Sequence, residues 1–378
     1  MSRKKLGVYL HIPYCVRKCA YCDFLSFPMG DREIPEIYLN RLMREIEQRA
    51  KQLDDYEVDT VFFGGGTPSL LSARQLQMLC DHIRVWFHVA DTAEWSMECN
   101  PGTADREKLT GFCQAGINRL SIGLQTPQDE LLKRLGRIHT WEQFVRCFDA
   151  AREAGFANIN VDLMSALPGQ TLDSYTEGVR RVLRFKPEHV SSYSLILEEG
   201  TPLYDSKPVL PDEETDRLMY ETTGRLLREH GYQRYEISNY ARLDKECRHN
   251  VKYWTRGEYL GLGLGAASLI NEKRLYNVDK LQSYLTQDEV MDASRTQTLT
   301  KKEQMEESMF LGLRMMRGIE EETFQTCFGV EIDKVYGGVL AELAGKKLIA
   351  RENGRIFLTD YGIDISNYVL SFFLLDER

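Results

Sequence analysis

The chain has 378 residues with 48 basic and 57 acidic side chains, which gives a formal net charge of −9 at pH 7. This acidic balance excludes nucleic acid as the main partner, because proteins that bind a phosphate backbone are usually basic. The length allows two or three domains, no apolar run approaches the ~20 residues that cross a bilayer, and the N-terminus lacks the apolar core of a signal peptide. We therefore expect a cytoplasmic protein whose nine cysteines are reduced rather than paired in disulfides.

Short strand patterns alternate with longer helical patterns through the first half of the chain. The predicted strands are Leu6–His11, Thr60–Phe63, Trp95–Glu98, Arg119–Leu124, Asn158–Leu163 and Val190–Ile196. The predicted helices are Ile37–Gln52, Ala73–Phe87, Asp129–Leu135, Trp141–Ala154 and Leu172–Phe185. This alternation predicts an α/β fold of βαβ units around a parallel sheet. Six units form either an open sheet or a partial (β/α)6 barrel, and in both the functional site lies at the carboxyl ends of the strands.

The alternation of strand and helix patterns ends after residue 200. The middle region holds an acidic helix, Asp212–Glu229, and a glycine-rich stretch, Gly261–Gly265. A polar segment, Gln287–Thr300, reads as a linker to a last region in which Asn353-Gly354 between two alternating runs predicts a hairpin. Helices followed by a hairpin predict a small winged-helix-like domain, and the absence of a basic excess argues against DNA binding by it. The predicted domains are residues 1–200, 201–290 and 291–378.

Three cysteines crowd together directly after the first predicted strand. Cys15, Cys19 and Cys22 form a C-x3-C-x2-C pattern on a loop short enough to turn three sulfurs toward one point. Soft thiolates suit zinc or an iron–sulfur cluster. A closed zinc site needs a fourth protein ligand, and none of obvious spacing follows Cys22, whereas three thiolates on a four-iron cluster leave one iron open. The spacing favours the cluster, with zinc or a chance group of buried cysteines as the alternatives.

Glycines and polar side chains end the next predicted strands. The run GGGTP at residues 64–68 follows the second strand, where glycine either lets a ligand touch backbone groups or merely allows a tight turn. Glu98, Gln125 and Asp162 end the third, fourth and fifth strands. Since parallel strands end at one edge of a sheet, we expect these side chains to form a ring around one mouth. Arg137 follows Gln125 closely and has the fork geometry to clamp a carboxylate.

These motifs resemble those of the radical S-adenosylmethionine (SAM) enzymes. The wording YLHIPYC at residues 9–15, FGGGTPS at 63–69 and DLMSALPGQT at 162–171 is similar to that of the oxygen-independent coproporphyrinogen oxidase family, over almost the whole chain. The resemblance implies a partial (β/α)6 radical SAM barrel with a [4Fe–4S] cluster held by Cys15, Cys19 and Cys22. It also implies that SAM is bound by Tyr9, Tyr21, Gly65, Gly66, Thr67, Glu98, Gln125, Arg137 and Asp162. Ser194, at the end of the sixth strand, matches the family less closely.

A second group of candidate residues lies in the run CRHNVKYW at residues 247–254. Its imidazole and two large rings suit the iron and the face of a heme, and a buried His–Asn turn with both rings in the core is the alternative. The pattern H-N-x-x-Y-W is similar to the heme-binding signature of the heme chaperones within the same family. The resemblance therefore implies heme contacts from His249, Asn250, Tyr253 and Trp254. Cys247 is either a neighbouring ligand or buried, and His11 receives no role.

Two departures separate the chain from the decarboxylating oxidases of the family. Phe24 stands where those enzymes carry another cysteine, and the extension before their first strand is expected to be missing. The resemblance thus implies a heme chaperone that binds a [4Fe–4S] cluster, SAM and heme and delivers heme to acceptor hemoproteins such as membrane-bound respiratory cytochromes. Without a transmembrane segment, it would reach such acceptors by peripheral association. The alternative is a radical SAM oxidoreductase that acts on a tetrapyrrole, like coproporphyrinogen III oxidase.

Overall fold

The computed structural model describes residues 3–30 and 32–375. Its strands are β1 Lys4–Ile12, β2 Tyr14–Cys15, β3 Phe27–Pro28, β4 Tyr56–Gly65, β5 Val89–Cys99, β6 Arg119–Gln125, β7 Ile159–Ser165, β8 His189–Ser194, β9 Gln233–Glu236, β10 Asn239–Ala241, β11 Tyr259–Leu262, β12 Ala267–Ile270, β13 Lys273–Tyr276, β14 Gln297–Thr298, β15 Ile319–Glu320, β16 Ile349–Glu352 and β17 Arg355–Leu358. Its helices are α1 Glu36–Ala50, α2 Ala73–Trp86, α3 Arg106–Gln114, α4 Asp129–Arg134, α5 Trp141–Glu153, α6 Leu172–Leu183, α7 Pro202–Asp205, α8 Glu213–Glu229, α9 Arg248–Trp254, α10 Leu281–Thr286, α11 Lys301–Gly312, α12 Glu321–Phe328, α13 Ile332–Gly345, α14 Asp360–Asp364 and α15 Ser366–Ser371.

A twelve-stranded sheet forms the centre of the described chain, in the order β14-β13-β12-β11-β1-β4-β5-β6-β7-β8-β10-β9. The strands β1, β4, β5, β6, β7 and β8 run parallel to one another. They correspond to the six strands predicted from the sequence, and helices lie between them along the chain. The predicted α/β class and the partial (β/α)6 barrel are therefore confirmed.

Each parallel strand has one face against the helices and one face toward the inside of the curved sheet, because successive side chains point to opposite faces. On β4, Val61 and Phe63 are fully buried in the core that also contains Leu42 and Ile46 of α1. Phe62, between them, points the other way and lines an internal cavity. The helix-facing side chains stabilise the fold, and the inward-facing ones are left to form a site.

The starts of the crossover helices agree with the sequence because local capping fixes them. Ser72, Thr140 and Thr171 begin α2, α5 and α6 with capping boxes, in which the side chain accepts a hydrogen bond from the third helical N–H and the third side chain returns one. The predicted first residues of these helices are those of the structure. Capping therefore fixes where the chain leaves each loop at the carboxyl end of a strand.

The middle region of the chain extends the sheet at both edges. At one edge, β10 pairs antiparallel with β8 and with β9. At the other edge, β11 pairs parallel with β1, and β12, β13 and β14 follow in antiparallel order. The segment Gln287–Thr300 differs from the predicted linker, because it contains β14 and buries Val290 and Leu299. A short polar edge strand has the composition of a linker, so the sequence pattern does not separate the two.

The last part of the chain has its own apolar core, which includes Phe324, Leu343, Ile356 and Phe373. Its helices pack beside a three-stranded sheet in the order β15-β17-β16. The predicted hairpin is confirmed, since β16 pairs antiparallel with β17 and the turn residues Asn353 and Gly354 both have positive φ. In the part of the chain that the structure covers, every helix is too short or too polar to cross a bilayer.

Candidate functional site

The carboxyl ends of the parallel strands enclose a cavity of about 390 Å³. Most of the residues predicted to bind the cluster and SAM line this cavity: Cys15, Cys19, Cys22, Tyr21, Gly65, Gly66, Thr67, Glu98, Gln125, Arg137 and Asp162. They come from six separate segments of the chain. The ring of side chains predicted from the strand ends therefore exists as one site.

Backbone contacts hold the cysteine loop over the cavity. The loop begins in β2 and returns in β3, which pairs with it, and Met29 N donates to Cys15 O at 2.8 Å. In the middle of the loop, Ala20 N donates to Leu135 O at 2.9 Å. These bonds anchor the loop both to itself and to the segment after α4, so the three thiols face the cavity from one side.

The chemistry of the three thiols suits an iron–sulfur cluster. Burial, followed by the neighbouring thiols of Cys19 and Cys15, raises the pKa of Cys22 to about 11. Crowded thiolates repel one another, so a cationic metal centre would relieve the repulsion and displace the protons. The guanidinium of Arg137 adds a positive group, with Nη1 3.6 Å from Cys19 Sγ. A site for a single metal ion is a separate question. Within residues 3–30 and 32–375, the structure contains no group of three or more His, Cys, Asp or Glu side chains that could hold one.

The glycine turn after β4 is required by packing against the cysteine strand. A Cβ on Gly66 would lie 2.6 Å from Tyr14 O, and a Cβ on Gly65 would lie 2.6 Å from the His11 ring. Gly65 also has a φ of 112°, which L side chains rarely adopt. The close approach exposes Gly65 N, which donates to Glu98 Oε2 at 3.1 Å. The tight-turn explanation of these glycines therefore holds, and the turn lines the cavity as well.

Two carboxyl groups inside the cavity have raised pKa values. Burial and the neighbouring Asp162 raise the pKa of Glu98 to about 8, although the hydrogen bond from Gly65 N–H acts to lower it. Burial also raises the pKa of Asp162, although Asn160 Nδ2 and Ser121 Oγ donate to its oxygens at 2.8 and 3.1 Å. Carboxyl groups held in this way gain their charge when a cation enters, which suits a sulfonium and an ammonium group.

Arg137 and Gln125 are held in fixed positions at the strand ends. Arg137 Nη2 donates to Asn100 Oδ1 at 2.6 Å and to Gly123 O at 2.5 Å, whereas its buried Nε has no hydrogen-bond partner. Gln125 has a φ of 70°, an unfavourable conformation for a side-chain-bearing residue. Strained residues and orphaned donors occur where a ligand supplies the missing interaction. Both features fit a bound carboxylate or amide.

Tyr9, His11 and Ser194 lie outside the cavity lining. The Tyr9 ring packs against Phe62 with a centroid distance of 6.2 Å, and its hydroxyl bonds to His11 Nδ1 at 3.0 Å. His11 Nε2 in turn bonds to Leu25 O at 2.8 Å. Tyr9 therefore supports the cavity wall from behind Phe62, and His11 ties β1 to the end of the cysteine loop. Ser194 bonds instead to Asp216 Oδ1 at 2.9 Å.

The sequence analysis missed several polar residues at the floor of the cavity. They are Asn100, Arg119, Ser121, Asn160, Ser191 and Tyr193. Five of the six occupy alternate positions of β6, β7 and β8, in register with Gln125 or Asp162. A period-two pattern of polar residues within otherwise apolar strands was the available signal, because such residues share the inward face.

The predicted heme segment forms α9, whose position differs from that of an open ligand site. Asn250 lines the cavity, but His249 is only 1% exposed. Its Nδ1 bonds to Thr60 Oγ1 and its Nε2 to Tyr253 Oη, both at 2.9 Å, and its ring stacks on Phe62 at 5.3 Å. Burial, followed by Lys252 and Arg119, lowers the pKa of His249 to about 3, so the imidazole is neutral. His249 is thus buried as in the alternative, but it lies in a helix rather than a turn, and Asn250, Tyr253 and Trp254 are only partly buried.

The partial barrel of parallel strands, the three-cysteine loop and the strand-end ring define a radical SAM protein. Residues 9–182 match the Radical SAM superfamily, and residues 299–365 match the HemN C-terminal domain. The superfamily implies a [4Fe–4S] cluster and SAM. The fold is that of coproporphyrinogen III oxidase (HemN) from Escherichia coli, with a TM-score of 0.87, 24% identity, and coverage of 99% of this chain and 91% of that one.

Full-length relatives define the family more narrowly. The chain is 38% identical over 375 residues to the heme chaperone HemW of Bacillus subtilis, covering 97% of this chain and 99% of the relative. It is 36% identical over 381 residues to the protein of the same name from Lactococcus lactis, covering 100% and 99%. The HemW of Escherichia coli is 40% identical over 261 residues, 69% of each chain. The chain belongs to the family of heme chaperones named HemW.

Proposed function

We propose that this protein is a heme chaperone of the radical SAM type, which binds a [4Fe–4S] cluster, SAM and heme and delivers heme to acceptor hemoproteins. The observation that carries the proposal is the cavity in which three thiols meet the strand-end ring, in a chain that matches heme chaperones over its whole length. The alternative, an oxidase that acts on a tetrapyrrole, has less support. Its extra cysteine is replaced by Phe24, which is 62% exposed at the cavity.

The cluster and SAM would be held by the residues that line the cavity. Cys15, Cys19 and Cys22 would supply the thiolates, and a reduced cluster of this kind supplies the electron for cleavage of the sulfonium bond of SAM. Tyr21 and the turn of Gly65, Gly66 and Thr67 would contact the methionine part. Glu98, Gln125 and Arg137 would complete that wall, and Asp162 would accept hydrogen bonds from the ribose. Tyr9 would affect SAM binding only indirectly, by supporting Phe62 in the cavity wall.

Heme would be bound by α9, through His249, Asn250, Tyr253 and Trp254. The neutral imidazole of His249 is the form that ligates iron, and the two rings offer surfaces for stacking on a porphyrin. One ring nitrogen of His249 must lose its hydrogen bond before iron can bind it. Ligation at Nδ1 therefore requires α9 to move His249 away from Thr60, whereas ligation at Nε2 requires the Tyr253 side chain to turn away.

The acceptors would be respiratory cytochromes or similar hemoproteins, reached by peripheral association with a membrane. We place the protein in the cytoplasm, whose reducing conditions suit its cysteine content. We also propose that residues 1–200, 201–290 and 291–378 act as the radical SAM barrel, its heme-binding extension and a partner-docking domain. Transfer of heme to an acceptor by protein that lacks residues 291–378 would contradict the docking role.

The test of heme ligation compares two buried histidines. We expect His249→Ala to weaken hemin binding at least tenfold in a titration followed by the heme absorbance, with the iron–sulfur absorbance unchanged. His189→Ala is the matched control, because His189 is equally buried and also has both ring nitrogens bonded. Equal binding by wild type and His249→Ala would remove His249 as the ligand. Equal losses in both variants would indicate a structural effect.

The test of the chaperone function is catalytic. Cluster-loaded protein is incubated without oxygen with coproporphyrinogen III, SAM and a reductant, and the products are analysed by chromatography. We expect no decarboxylated product, and SAM cleavage is measured in the same samples. Repeated turnover to a decarboxylated porphyrin precursor would refute the chaperone function and support the oxidase.

A further inference from the structure

The helix that carries the predicted heme ligand is closed, and its contacts divide into two sets. On the barrel side, the carboxylate of Glu94 accepts hydrogen bonds from Arg248 N at 3.1 Å and from His249 N at 3.2 Å. Lys252 of α9 forms an ion pair with Asp59 at 2.9 Å. Because α9 has no capping side chain of its own, Glu94 from β5 replaces the missing cap and holds the start of α9 inside the barrel.

The C-terminal domain holds the other end of α9. The guanidinium of Arg314 lies 4.3 Å from the centre of the Trp254 ring, and Arg314 Nη2 is 3.4 Å from Glu236 Oε2. Glu236 is fully buried and the Arg314 side chain is 25% exposed, so this ion pair is largely shielded from solvent. Two residues beyond the end of α9, Arg256 Nε is 3.0 Å from Glu307 Oε2 of α11. Arg314 therefore contacts the last residue of α9, Trp254, and Glu307 pairs with Arg256, two residues beyond the helix end.

The closed arrangement leaves several interactions unmade. Trp254 Nε1 and Arg314 Nε are both buried without a hydrogen-bond partner. Arg256 has a φ of 52°, which is unfavourable for a residue with a side chain. Orphaned donors and a strained residue each raise the free energy of the closed state. They lie at the end of α9 that the C-terminal domain grips, so release at this end has the least to overcome.

We propose that α9 is a lid that carries His249 and closes it against Thr60 and Phe62 of β4, and that Arg314 is the positioning residue through which the C-terminal domain holds the lid shut. The inference rests on the proposed binding of heme by His249, because a residue that is 1% exposed with both ring nitrogens bonded has no room for iron. Opening of α9 away from β4 would free Nδ1 from Thr60 Oγ1, whereas Nε2 keeps its bond to Tyr253 on the same helix. An acceptor or a heme donor that loosens the C-terminal domain would thereby gain control of the heme site.

The first test removes the grip without leaving a buried charge. The double variant Glu236→Gln with Arg314→Met takes away both partners of the ion pair, which avoids an isolated carboxylate. Arg351→Gln is the matched control, since Arg351 pairs with Asp333 within the C-terminal domain at 2.8 Å. In heme-free, cluster-loaded protein, we expect hydrogen exchange of the backbone amides of residues 247–255 to be about tenfold faster in the double variant than in wild type and control.

A second variant opens the lid from the barrel side. A Cβ on Gly7 would lie 2.8 Å from Lys252 Cδ, which can shift, and 3.3 Å from Cε1 of the buried His249 ring, so Gly7→Ala should push α9 outward at His249. Its backbone φ is ordinary, and we expect a smaller rise in exchange of the same amides. This variant keeps the test decisive if the double variant folds poorly. Unchanged exchange at residues 247–255 in both variants would overturn the lid.

Hemin binding separates the lid from the ligand. The association rate of hemin, followed by stopped-flow absorbance, should rise about tenfold in the double variant, and this rise should vanish when His249→Ala is added. Suppose that the double variant associates with hemin as slowly as wild type, while His249→Ala alone weakens binding. That result would overturn the lid but keep His249 as the ligand. If amide exchange is faster in the double variant but His249→Ala does not change hemin binding, the lid is supported and the proposed ligand is refuted.

Discussion

Glu98 gives a prediction in which stability and SAM binding respond oppositely to pH. Its pKa rises from 4.5 to about 8 because the carboxyl group is buried beside Asp162. Such a rise corresponds to roughly 5 kcal/mol against ionisation in the folded state. Part of the side chain remains accessible to cavity solvent, which lowers the penalty, so we expect about 2–3 kcal/mol.

The sign follows from proton linkage. Below pH 4.5 the carboxyl group is protonated in both the folded and the unfolded chain, and it has no effect on stability. Between pH 4.5 and about 8 the unfolded chain ionises Glu98 while the folded protein keeps the proton, so the free energy of unfolding falls as pH rises. Glu98→Gln cannot ionise and escapes this loss. Relative to wild type, the variant should become more stable by about 2–3 kcal/mol between pH 5 and pH 8.

The assay is urea unfolding of wild type and Glu98→Gln at pH 5 and pH 8, without oxygen and without SAM. The difference between the two proteins cancels the titration of groups that both share. SAM binding, measured by calorimetry, should strengthen with pH up to about 8 in wild type, because a bound cation favours the ionised Glu98. A stability difference that does not change with pH, or a SAM affinity with the same pH dependence in Glu98→Gln, would refute this explanation.

Three further substitutions test other parts of the structure. Cys19→Ala should abolish the iron–sulfur absorbance of reconstituted protein, whereas Cys80→Ala, on the buried face of α2, should retain it. Gly66→Ala would place a Cβ 2.6 Å from Tyr14 O, so we expect a loss of about 2–3 kcal/mol in urea unfolding and reduced iron content; normal stability would contradict the close approach. Ile356→Ala should cost about 2–4 kcal/mol in the same assay while iron content stays normal, and loss of iron would link the C-terminal core to the cluster.

The sequence by itself was sufficient for elements whose signals are local. Apolar strand runs, capping residues before helices and the Asn353-Gly354 turn each act within a few residues, so their predictions agree with the structure. The cysteine loop and the residues at the strand ends were also predictable. In a parallel sheet every strand carries its carboxyl end to the same edge, so position along a strand determines position in the site.

Only the tertiary structure decided which strands form the edges of the sheet and which candidate residues face the cavity. The edge strands β9 and β14 are short and largely polar, and such strands resemble loops until a neighbouring strand is known. Tyr9 and His249 illustrate the second point, since Phe62 stands between Tyr9 and the cavity, and Thr60 with Tyr253 occupies both nitrogens of His249. Sequence spacing determines the position of a residue along its strand or helix. Whether its side chain is accessible depends on residues distant in sequence that pack against it.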